Sequence, residues 1–424
     1  MKLNLNIFKS EFSRNIIALM TGTTIAQAIP IAISPILTRM YSPQDFGVFA
    51  IFLAINAITG VIAGAKYEEA IILPKNNKNA LNLVVLSVLI SFIFSFFLAL
   101  FILLFNSQIV SMLGEPKIKY WLYFVPLTTF ILAIYNSLNY YNIRNKTFKN
   151  ISISQVSKSS SSAIVQVFIG LIQTGPFGLI LGQIISYFTG NFILFKTLKE
   201  DINKKNIKKE ITKKTIKSVA KEYSKFPKYS LPSIFINSLN LNIINFLISS
   251  IFSITTLGFY SITQRLIAIP AKVIGSSFSQ VYFQKASIVF NSNGNTRLLF
   301  VKTLKQLIVI VTPFFIILFF IAEPLFAFVF GEKWRIAGLY AQILIPLAFV
   351  KFLSGSLETT LVIHQKQQYL LLINVLLILS TVVVFFFGYK YDIDFSTILK
   401  YYVILLSFDY GLILFLSWFF SKKI

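Results

Sequence analysis

The stretch SPILTRMYSPQDFGVFAIFLAINAITGVIAGAKYEEAIILP (Ser34–Pro74) decides the fold of this chain. It contains the end of one apolar segment, a polar loop at Tyr41–Asp45, a second apolar segment and a charged exit. A weaker copy of its turn returns as IFSITTLGFYSITQRLIAIPAK (Ile251–Lys272), in which Ser253 corresponds to Ser42. A two-helix unit that is used twice indicates an internal duplication, which is common among membrane transporters.

The composition is that of a membrane protein. Of the 424 residues, 56% are hydrophobic and only 13% are charged, whereas soluble domains are roughly 45–50% apolar and about 25% charged. The apolar residues fall in runs of about 20, the length at which a helix spans a bilayer core. The chain has no Cys and therefore offers no disulfide and no thiolate metal site.

Twelve apolar spans predict an all-α polytopic membrane protein, with two pseudo-symmetric six-helix lobes around a central cavity. The spans are Asn15–Thr38, Phe46–Ala65, Leu81–Phe105, Ile118–Tyr141, Ile151–Gln173, Phe177–Phe195, Tyr229–Ile251, Leu257–Val281, Leu298–Ala322, Ile336–Leu357, Tyr369–Tyr389 and Ile398–Phe420. Most of the 39 Lys and Arg residues lie in alternate connections, which predicts that both termini are cytoplasmic. The net charge of +24 is thus explained by topology, and we expect no nucleic-acid partner.

The longest connection divides the chain into three predicted parts. These are an N-terminal six-helix lobe (1–195), a basic cytoplasmic linker (196–228) with 12 Lys, and a C-terminal six-helix lobe (229–424). The Lys-rich linker is typical of a solvated segment on an anionic inner leaflet, and a specific binding role is the alternative. Because each lobe has six spans, both lobes enter the membrane in the same orientation.

Further matches extend the repeat beyond its first turn. The pair Gly114–Glu115 before span four recurs as Gly331–Glu332 before span ten, and Lys146 recurs as Lys366. Because these matches occur in the same order and at equivalent places in the topology, they indicate that the whole lobe was duplicated.

Ionisable residues within the spans are candidate functional residues, because each costs roughly 2.5–3.5 kcal/mol on insertion scales. The candidate cations are Lys158 in span five, Arg265 and Lys272 in span eight, and Lys351 in span ten. Arg and Lys bind phosphate or pyrophosphate well. The set predicts a cationic, water-filled cavity between the lobes, although Lys158 is close enough to a span end to reach the interface instead.

The candidate acids fall into two groups. Glu358 and Asp409 lie within spans, where they either take up a coupling ion or neutralise nearby cations in a static bundle. Glu68 and Glu69 follow span two just after Lys66. They either anchor this helix end by pairing with nearby bases or form a gating salt bridge that breaks on opening.

Amides and prolines within the spans complete the candidate set. Gln27 in span one and Asn237 and Asn240 in span seven suit the hydroxyl groups of a sugar, and they equally suit hydrogen bonding between membrane helices. The prolines within spans, among them Pro126 and Pro270, are expected to kink or unwind their helices.

Three motifs carry a resemblance to a known family. SPILTRMYSP (Ser34–Pro43), DFGVFA (Asp45–Ala50) and YEEAIILP (Tyr67–Pro74) resemble the N-terminal signature of bacterial lipid-linked oligosaccharide flippases. These are the O-antigen and capsule repeat-unit translocases of the multidrug/oligosaccharidyl-lipid/polysaccharide exporter superfamily. Outside these motifs the agreement is limited to the twelve-span plan and the loop lengths.

The resemblance implies a flippase of the bacterial cytoplasmic (inner) membrane. Its substrate would be an undecaprenyl-pyrophosphate-linked oligosaccharide, moved from the inner to the outer leaflet by alternating access. The expected partners are this substrate, membrane lipids, H⁺ or Na⁺ as a coupling ion, and a polysaccharide polymerase; no cofactor is expected.

Two other functions stay open on sequence alone. A multidrug or metabolite antiporter would share the fold, but a cavity with several cations fits cationic drugs poorly. A membrane polymerase or ligase of lipid-linked glycans would need larger outer loops, and Asp392–Ile393–Asp394 faces outward in the predicted topology. The chain has no Walker A sequence, and His364, its one histidine, has no evident partner. We therefore expect no enzymatic activity.

Overall fold

The computed structural model describes residues 11–205, 211–270 and 275–422. Throughout these ranges the chain forms helices joined by short turns. Its contacts group it into two compact units, Met1–Asn245 and Phe246–Ile424. The contact boundary falls inside one helix, whereas the sequence places the lobe boundary ahead of that helix; the lobe boundaries stay a prediction.

The helices of the first unit are, in chain order, Glu11–Met40 (α1), Pro43–Ala63 (α2), Tyr67–Ala70 (α3), Asn77–Leu113 (α4), Lys119–Leu122 (α5), Val125–Arg144 (α6), Phe148–Ile172 (α7), Phe177–Lys205 (α8), Lys213–Glu222 (α9) and Leu231–Ile251 (α10), of which α10 continues into the second unit. Those of the second unit are Ile254–Pro270 (α11), Ser276–Asn293 (α12), Arg297–Phe330 (α13), Arg335–Leu357 (α14), Thr359–Ile363 (α15), Gln367–Lys390 (α16) and Phe395–Phe420 (α17).

The helices confirm an all-α, multi-pass membrane protein. In the described ranges nine helices are long and apolar enough to cross a membrane, and the bent pair of Pro116–Leu122 and Val125–Arg144 makes ten. Two of the twelve predicted spans do not qualify. Helix α7 is diluted by polar residues such as Lys158, and α11 is described only as far as Pro270, a length of 17 residues. The count of twelve and the cytoplasmic termini stay predictions.

The turns of the two units repeat as the sequence predicts. Ser42 and Ser253 are equivalent N-caps, whose hydroxyl oxygens accept hydrogen bonds from the N–H three residues on, at 3.2 and 3.0 Å. Gly114 and Gly331 end the long helices α4 and α13 with φ of 69° and 102°, and each precedes a short 3₁₀ turn. Glycine adopts the left-handed backbone conformation at such helix ends without strain.

One predicted match is displaced by a residue. The left-handed residue that turns the chain is Lys146 in the first unit but Gln365, not Lys366, in the second, with φ of 57° in both. In each turn the following N–H reaches the carbonyl oxygen five residues earlier, at 3.0 and 2.7 Å. The two turns therefore have the same geometry, and the structure corrects the alignment of side chains that sequence identity alone suggested.

Not every proline in a span interrupts its helix. Pro126 follows a bend of 50°, and the residues after Pro270 lie outside the described ranges. The helices α1, α13 and α14 run through Pro30, Pro313 and Pro346 respectively. These three positions are therefore not unwound, and a kink at each of them stays a prediction.

Part of the predicted solvated linker is docked on the first unit. Helix α8 continues to Lys205, and α9 buries Val219 against a cluster that includes Tyr67. The Tyr67 hydroxyl donates a hydrogen bond to the carbonyl oxygen of Ala220 at 3.0 Å. The reason is that α9 is amphipathic: its lysines stay exposed while its apolar side packs against α3 and α4.

The Ser34–Pro74 stretch contributes much of the core of the first unit. Leu37, Phe52 and Tyr41 are buried, and the Tyr41 hydroxyl donates a hydrogen bond to the carbonyl oxygen of Gln166 in α7 at 2.6 Å. Gly178 in α8 lies so close to this hydroxyl that a Cβ there would overlap with it. The stretch therefore holds α1, α7 and α8 together.

This close approach yields a stability prediction. We expect Gly178→Ala to lower the free energy of unfolding by about 1–3 kcal/mol, because the new methyl group overpacks against Tyr41. Adding Tyr41→Phe should recover part of the loss, since it removes the colliding oxygen. The measurement is the thermal unfolding midpoint of the detergent-solubilised protein.

The control is Gly411→Ala, a helical glycine whose Cβ position has no neighbour within 4 Å. It should leave the midpoint unchanged or slightly raise it. Equal effects of Gly178→Ala and Gly411→Ala would contradict the packing argument.

Candidate substrate and coupling sites

Lys158 is held between two tyrosine rings. Its Nζ lies 3.7 Å from the ring centroid of Tyr135 in α6 and 4.7 Å from that of Tyr187 in α8. The stem packs on Gly190, where a Cβ would come within 2.7 Å of the lysine chain. The ammonium has no carboxylate partner among the described residues. Cation–π contacts stabilise such a charge without neutralising it.

The hydroxyl-rich part of α7 explains how this lysine is positioned. Ser159 donates to the carbonyl oxygen of Ala26 in α1 at 2.7 Å, and Ser161 bonds to Thr189 in α8 at 2.8 Å. Hydroxyl hydrogen bonds of this kind join helices within a membrane. The serines that make α7 a weak span in the sequence therefore fix Lys158 between α6 and α8.

The predicted amides make no hydrogen bond within the described part of the chain. Gln27 in α1 and Asn237 in α10 are exposed, and Asn240 is half-buried. The hydrogen bond that joins α10 to α2 comes instead from Ser238, which donates to the carbonyl oxygen of Ala57 at 3.2 Å. The amides are thus available to a ligand, and their role in binding one stays a prediction.

Glu68 and Glu69 lie in a tight turn with Lys66. The Lys66 ammonium is 3.3 Å from Oε1 of Glu69 and 3.8 Å from Oε1 of Glu68. Ala65 and Lys66 have φ of 49° and 61°, so two non-glycine residues are held in the left-handed region, which is strained. The sequence-based expectation that the acids pair with a nearby base matches this geometry, and a gating role stays a prediction.

The carboxylate of Glu68 is the buried member of this turn. Its side chain is 3% exposed, and Oε2 accepts no hydrogen bond from a described residue. Burial raises the pKa of Glu68, although the charge of Lys66 acts in the opposite direction. Arg144 of α6 holds the following segment by donating to the carbonyl oxygens of Ile72 and Pro74.

The cations predicted in span eight are only partly described. Arg265 is half-buried in α11 and forms no hydrogen bond or ion pair with any described residue. Lys272 lies outside the described residues, and the predicted shared face of Arg265 and Lys272 is therefore untested. Arg265 alone still places a guanidinium within the second unit that no carboxylate of the described ranges neutralises.

Lys351 lies next to the helix that carries Asp409. It is exposed on α14, and its Nζ is 5.5 Å from the ring centroid of Tyr410 in α17. Glu358 follows the end of α14 and is half-buried. It forms no ion pair with Lys351 within 4 Å. Static pairing of Lys351 with Glu358 is therefore absent from this structure.

Asp409 is a buried acid in the middle of α17. It lies beside Ser380 of α16, and its Oδ2 accepts no hydrogen bond from the described residues. A buried acceptor without a donor is costly unless a proton, a cation or water satisfies it. This geometry is compatible with uptake of a coupling ion, and the coupling role stays a prediction.

The tyrosines of these sites were missed by the sequence reasoning. Tyr135, Tyr187 and Tyr410 each contact a predicted cation, but only ionisable residues and amides were considered as ligand-binding groups. A usable signal was present, since the chain has 19 Tyr, and a tyrosine inside a span has a hydroxyl that needs a partner.

Comparison with known proteins identifies the family. The profile of the family described as "Polysaccharide biosynthesis protein" matches residues 36–337. The succinoglycan biosynthesis transport protein ExoT of Rhizobium meliloti (strain 1021) is 21% identical over 336 residues. That match covers 76% of this chain but only 64% of the relative, so the chain spans less than two thirds of its length.

Solved structures agree in fold at low sequence identity. The lipid II flippase MurJ, in an inward closed conformation, has a TM-score of 0.73 at 14% identity, covering 95% of this chain and 87% of its own. An inward-facing multidrug resistance MATE family transporter of the MOP superfamily has a TM-score of 0.64 at 13% identity, covering 96% and 97%. The chain therefore belongs to the polysaccharide biosynthesis protein family and has the membrane-transporter fold shared by MurJ and MATE proteins.

Proposed function

We propose that this protein is a flippase of the bacterial cytoplasmic membrane. It translocates undecaprenyl-pyrophosphate-linked oligosaccharide units from the inner to the outer leaflet by alternating access, for assembly of a surface polysaccharide. Membership of a polysaccharide biosynthesis family supports the glycan, and the fold supports transport. An extracytoplasmic polysaccharide polymerase would then receive the delivered unit.

The observation that carries the proposal is a set of cations without acidic partners. Lys158 lies on a helix of the first unit and Arg265 and Lys351 lie on helices of the second, and none of the three forms an ion pair within the described ranges. An unpaired cation in such surroundings is expensive unless a ligand compensates for it. A pyrophosphate supplies two negative groups that accept charge-assisted hydrogen bonds from Arg and Lys. A cationic drug would be repelled from the same groups.

The sugar part of the substrate requires neutral donors and acceptors. The free amides of Gln27, Asn237 and Asn240 supply both, because each amide donates two hydrogen bonds and accepts two. The rings of Tyr135 and Tyr187 beside Lys158 add apolar faces on which a sugar ring can lie.

Ion coupling is proposed to act through α17. Asp409 is adjacent in sequence to Tyr410, and the Tyr410 ring lies near the Lys351 ammonium. Neutralisation of Asp409 by H⁺ or Na⁺ would change the charge next to Tyr410, whose ring contacts the proposed substrate-binding residue Lys351. Occupancy of the ion site and of the substrate site would in this way influence each other.

The direct test follows the substrate in cells depleted of the protein. Complete lipid-linked units should accumulate on the cytoplasmic leaflet, and the wild-type protein should relieve the block. Lys158→Gln or Arg265→Gln should lower the flipping rate about tenfold to a hundredfold, the loss expected for one charge-assisted hydrogen bond of about 1.5–3 kcal/mol. Leaflet content is measured by accessibility of the glycan to an impermeant lectin.

The matched control is Lys333→Gln, which removes an exposed lysine in the 3₁₀ turn before α14. Depleted cells that express this variant should flip the substrate as fully as cells that express the wild type. Normal delivery with unpolymerised single units in depleted cells would instead indicate a polymerase. Normal delivery together with normal polymer would instead indicate that the protein is an antiporter of the same superfamily.

A second prediction concerns the coupling acid. Asp409→Asn should abolish the response of flipping to an imposed H⁺ or Na⁺ gradient, because the amide is not protonated near neutral pH and offers a cation no negative charge. Binding of the substrate head group should no longer depend on the H⁺ or Na⁺ concentration, because the coupled ion site is lost. Reconstituted vesicles with and without each gradient give the measurement, and a gradient response preserved in the variant would exclude Asp409 as the coupling site.

A third prediction concerns the buried carboxylate of the proposed gate. Burial raises the pKa of Glu68 above its usual value of 4.5, so the folded protein binds this proton more tightly than the unfolded chain does. Stability should therefore fall as the pH rises from below 4.5 through the raised pKa. Glu68→Gln should match the wild type in unfolding midpoint at low pH and exceed it at pH 8.

Glu69→Gln is the control for this experiment, because Glu69 is the more exposed partner of Lys66. It removes an ion pair and should bring no gain at pH 8. If the unfolding midpoints of the wild type and of Glu68→Gln differed by the same amount at every pH, the raised pKa would be contradicted.

A further inference from the structure

A groove with three cations lies at the beginning of α13. Its volume is about 840 Å³, and it is lined by Asn295, Arg297, Leu298, Val301, Lys302 and Lys305. All six residues belong to the second unit. The groove is separate from Arg265, Lys351 and Asp409, on which the proposed function depends.

The cations of the groove are held without acidic neighbours. The Arg297 guanidinium carbon lies 4.0 Å from the ring centroid of Trp418 in α17, which orients it as a cation–π contact does. Lys302 and Lys305 are exposed. None of the three forms an ion pair with a described residue, and the first carboxylate along α13 is that of Glu323. Three like charges in one groove attract an anion.

The same helix face becomes apolar beyond Lys305. Leu298, Lys305, Val309, Ile316 and Phe320 follow one another at spacings of seven and four residues, which places them on one side of a helix. Leu298 is 84%, Val309 72% and Phe320 70% exposed. From Lys305 to Phe320 the helix rises about 22 Å, more than the roughly 15 Å of one leaflet's hydrocarbon. This face matches an amphiphile with an anionic head and long apolar chains.

We propose that this groove binds the phosphate group of an anionic bilayer phospholipid. The phosphate lies among Arg297, Lys302 and Lys305, and the acyl chains run along Val309 and Phe320. The basic residues assign this end of α13 to the cytoplasm, and anionic lipids of the inner leaflet attract basic segments. Arg297 presents its planar fork to the phosphate oxygens, while the two lysines act as point charges.

The occupant is a bilayer phospholipid because the groove is open and continues into the exposed apolar face of α13. A soluble anion would gain nothing from the exposed apolar face above Lys305. An inner-leaflet lipid buries that face and satisfies the charges at once. The site thereby ties the cytoplasmic end of α13 to the membrane surface.

The test titrates the full-length protein in detergent with phosphatidylglycerol and counts bound lipid by native mass spectrometry. We expect phosphatidylglycerol to bind and phosphatidylcholine not to. Each charge removed should weaken binding about fivefold, because a Lys or Arg near an anionic membrane surface contributes about 1 kcal/mol to the binding free energy. Lys302→Gln with Lys305→Gln should thus lose about 25-fold while keeping the Arg297–Trp418 contact.

Lys285→Gln is the matched control, because Lys285 is an exposed lysine on α12 that does not line the groove. It should bind phosphatidylglycerol like the wild type, and all variants should unfold at the same temperature without lipid. Equal binding of phosphatidylcholine, or unchanged binding in the double variant, would overturn the proposal. Displacement of the lipid by equimolar pyrophosphate would overturn it in favour of a soluble anion. Binding of a polyprenyl phosphate but not of phosphatidylglycerol would also overturn the proposal, and would indicate that the groove binds the transport substrate.

Discussion

The hydrocarbon interior of a membrane satisfies no backbone hydrogen bonds, and the rest of this structure depends on that constraint. Each spanning segment therefore satisfies its own N–H and C=O groups as a helix. The departures from helical geometry are concentrated at helix ends, where Gly114, Lys146, Gly331 and Gln365 adopt positive φ. Because these ends recur in the same order, the two units share one set of turns.

Polar side chains within the bundle follow the same constraint. Hydroxyl groups such as those of Ser159 and Ser238 donate their one proton to carbonyl oxygens on neighbouring helices, so they join helices. Lys158, Arg265 and Asp409 differ from them, because each keeps charge or acceptor capacity that no described residue uses. The polar groups proposed to bind a ligand thus differ from those that join helices in keeping charge or acceptor capacity that no described residue uses.

The cations are distributed between two environments with different consequences. Those among helices of the bundle, such as Lys158 against Tyr135, favour a ligand that enters the protein. Those at the beginning of α13, such as Lys305 beneath an exposed apolar face, favour a ligand that stays in the bilayer. A lipid-linked pyrophosphate and a phospholipid carry similar head-group charge, so separate sites for them would keep abundant bilayer lipid from competing with the transported molecule.

The sequence alone determined the class of protein, most of the spans and the internal repeat. These follow from apolar run length, from the distribution of Lys and Arg and from turn residues such as Ser42 and Gly331, all of which act locally along the chain. It also identified which ionisable residues lie within spans. It could not find the docking of α9 or the displaced match at Gln365.

The docking of α9 was decided by tertiary structure, because it depends on packing between segments far apart in sequence. Helix α9 is a basic linker by composition, and its packing against α4 and Tyr67 makes it part of the first unit. In the same way, Lys158 is a charge near a span end in the sequence. The rings of Tyr135 and Tyr187 turn it into an oriented, unneutralised cation, since cation–π geometry exists only once three helices have come together.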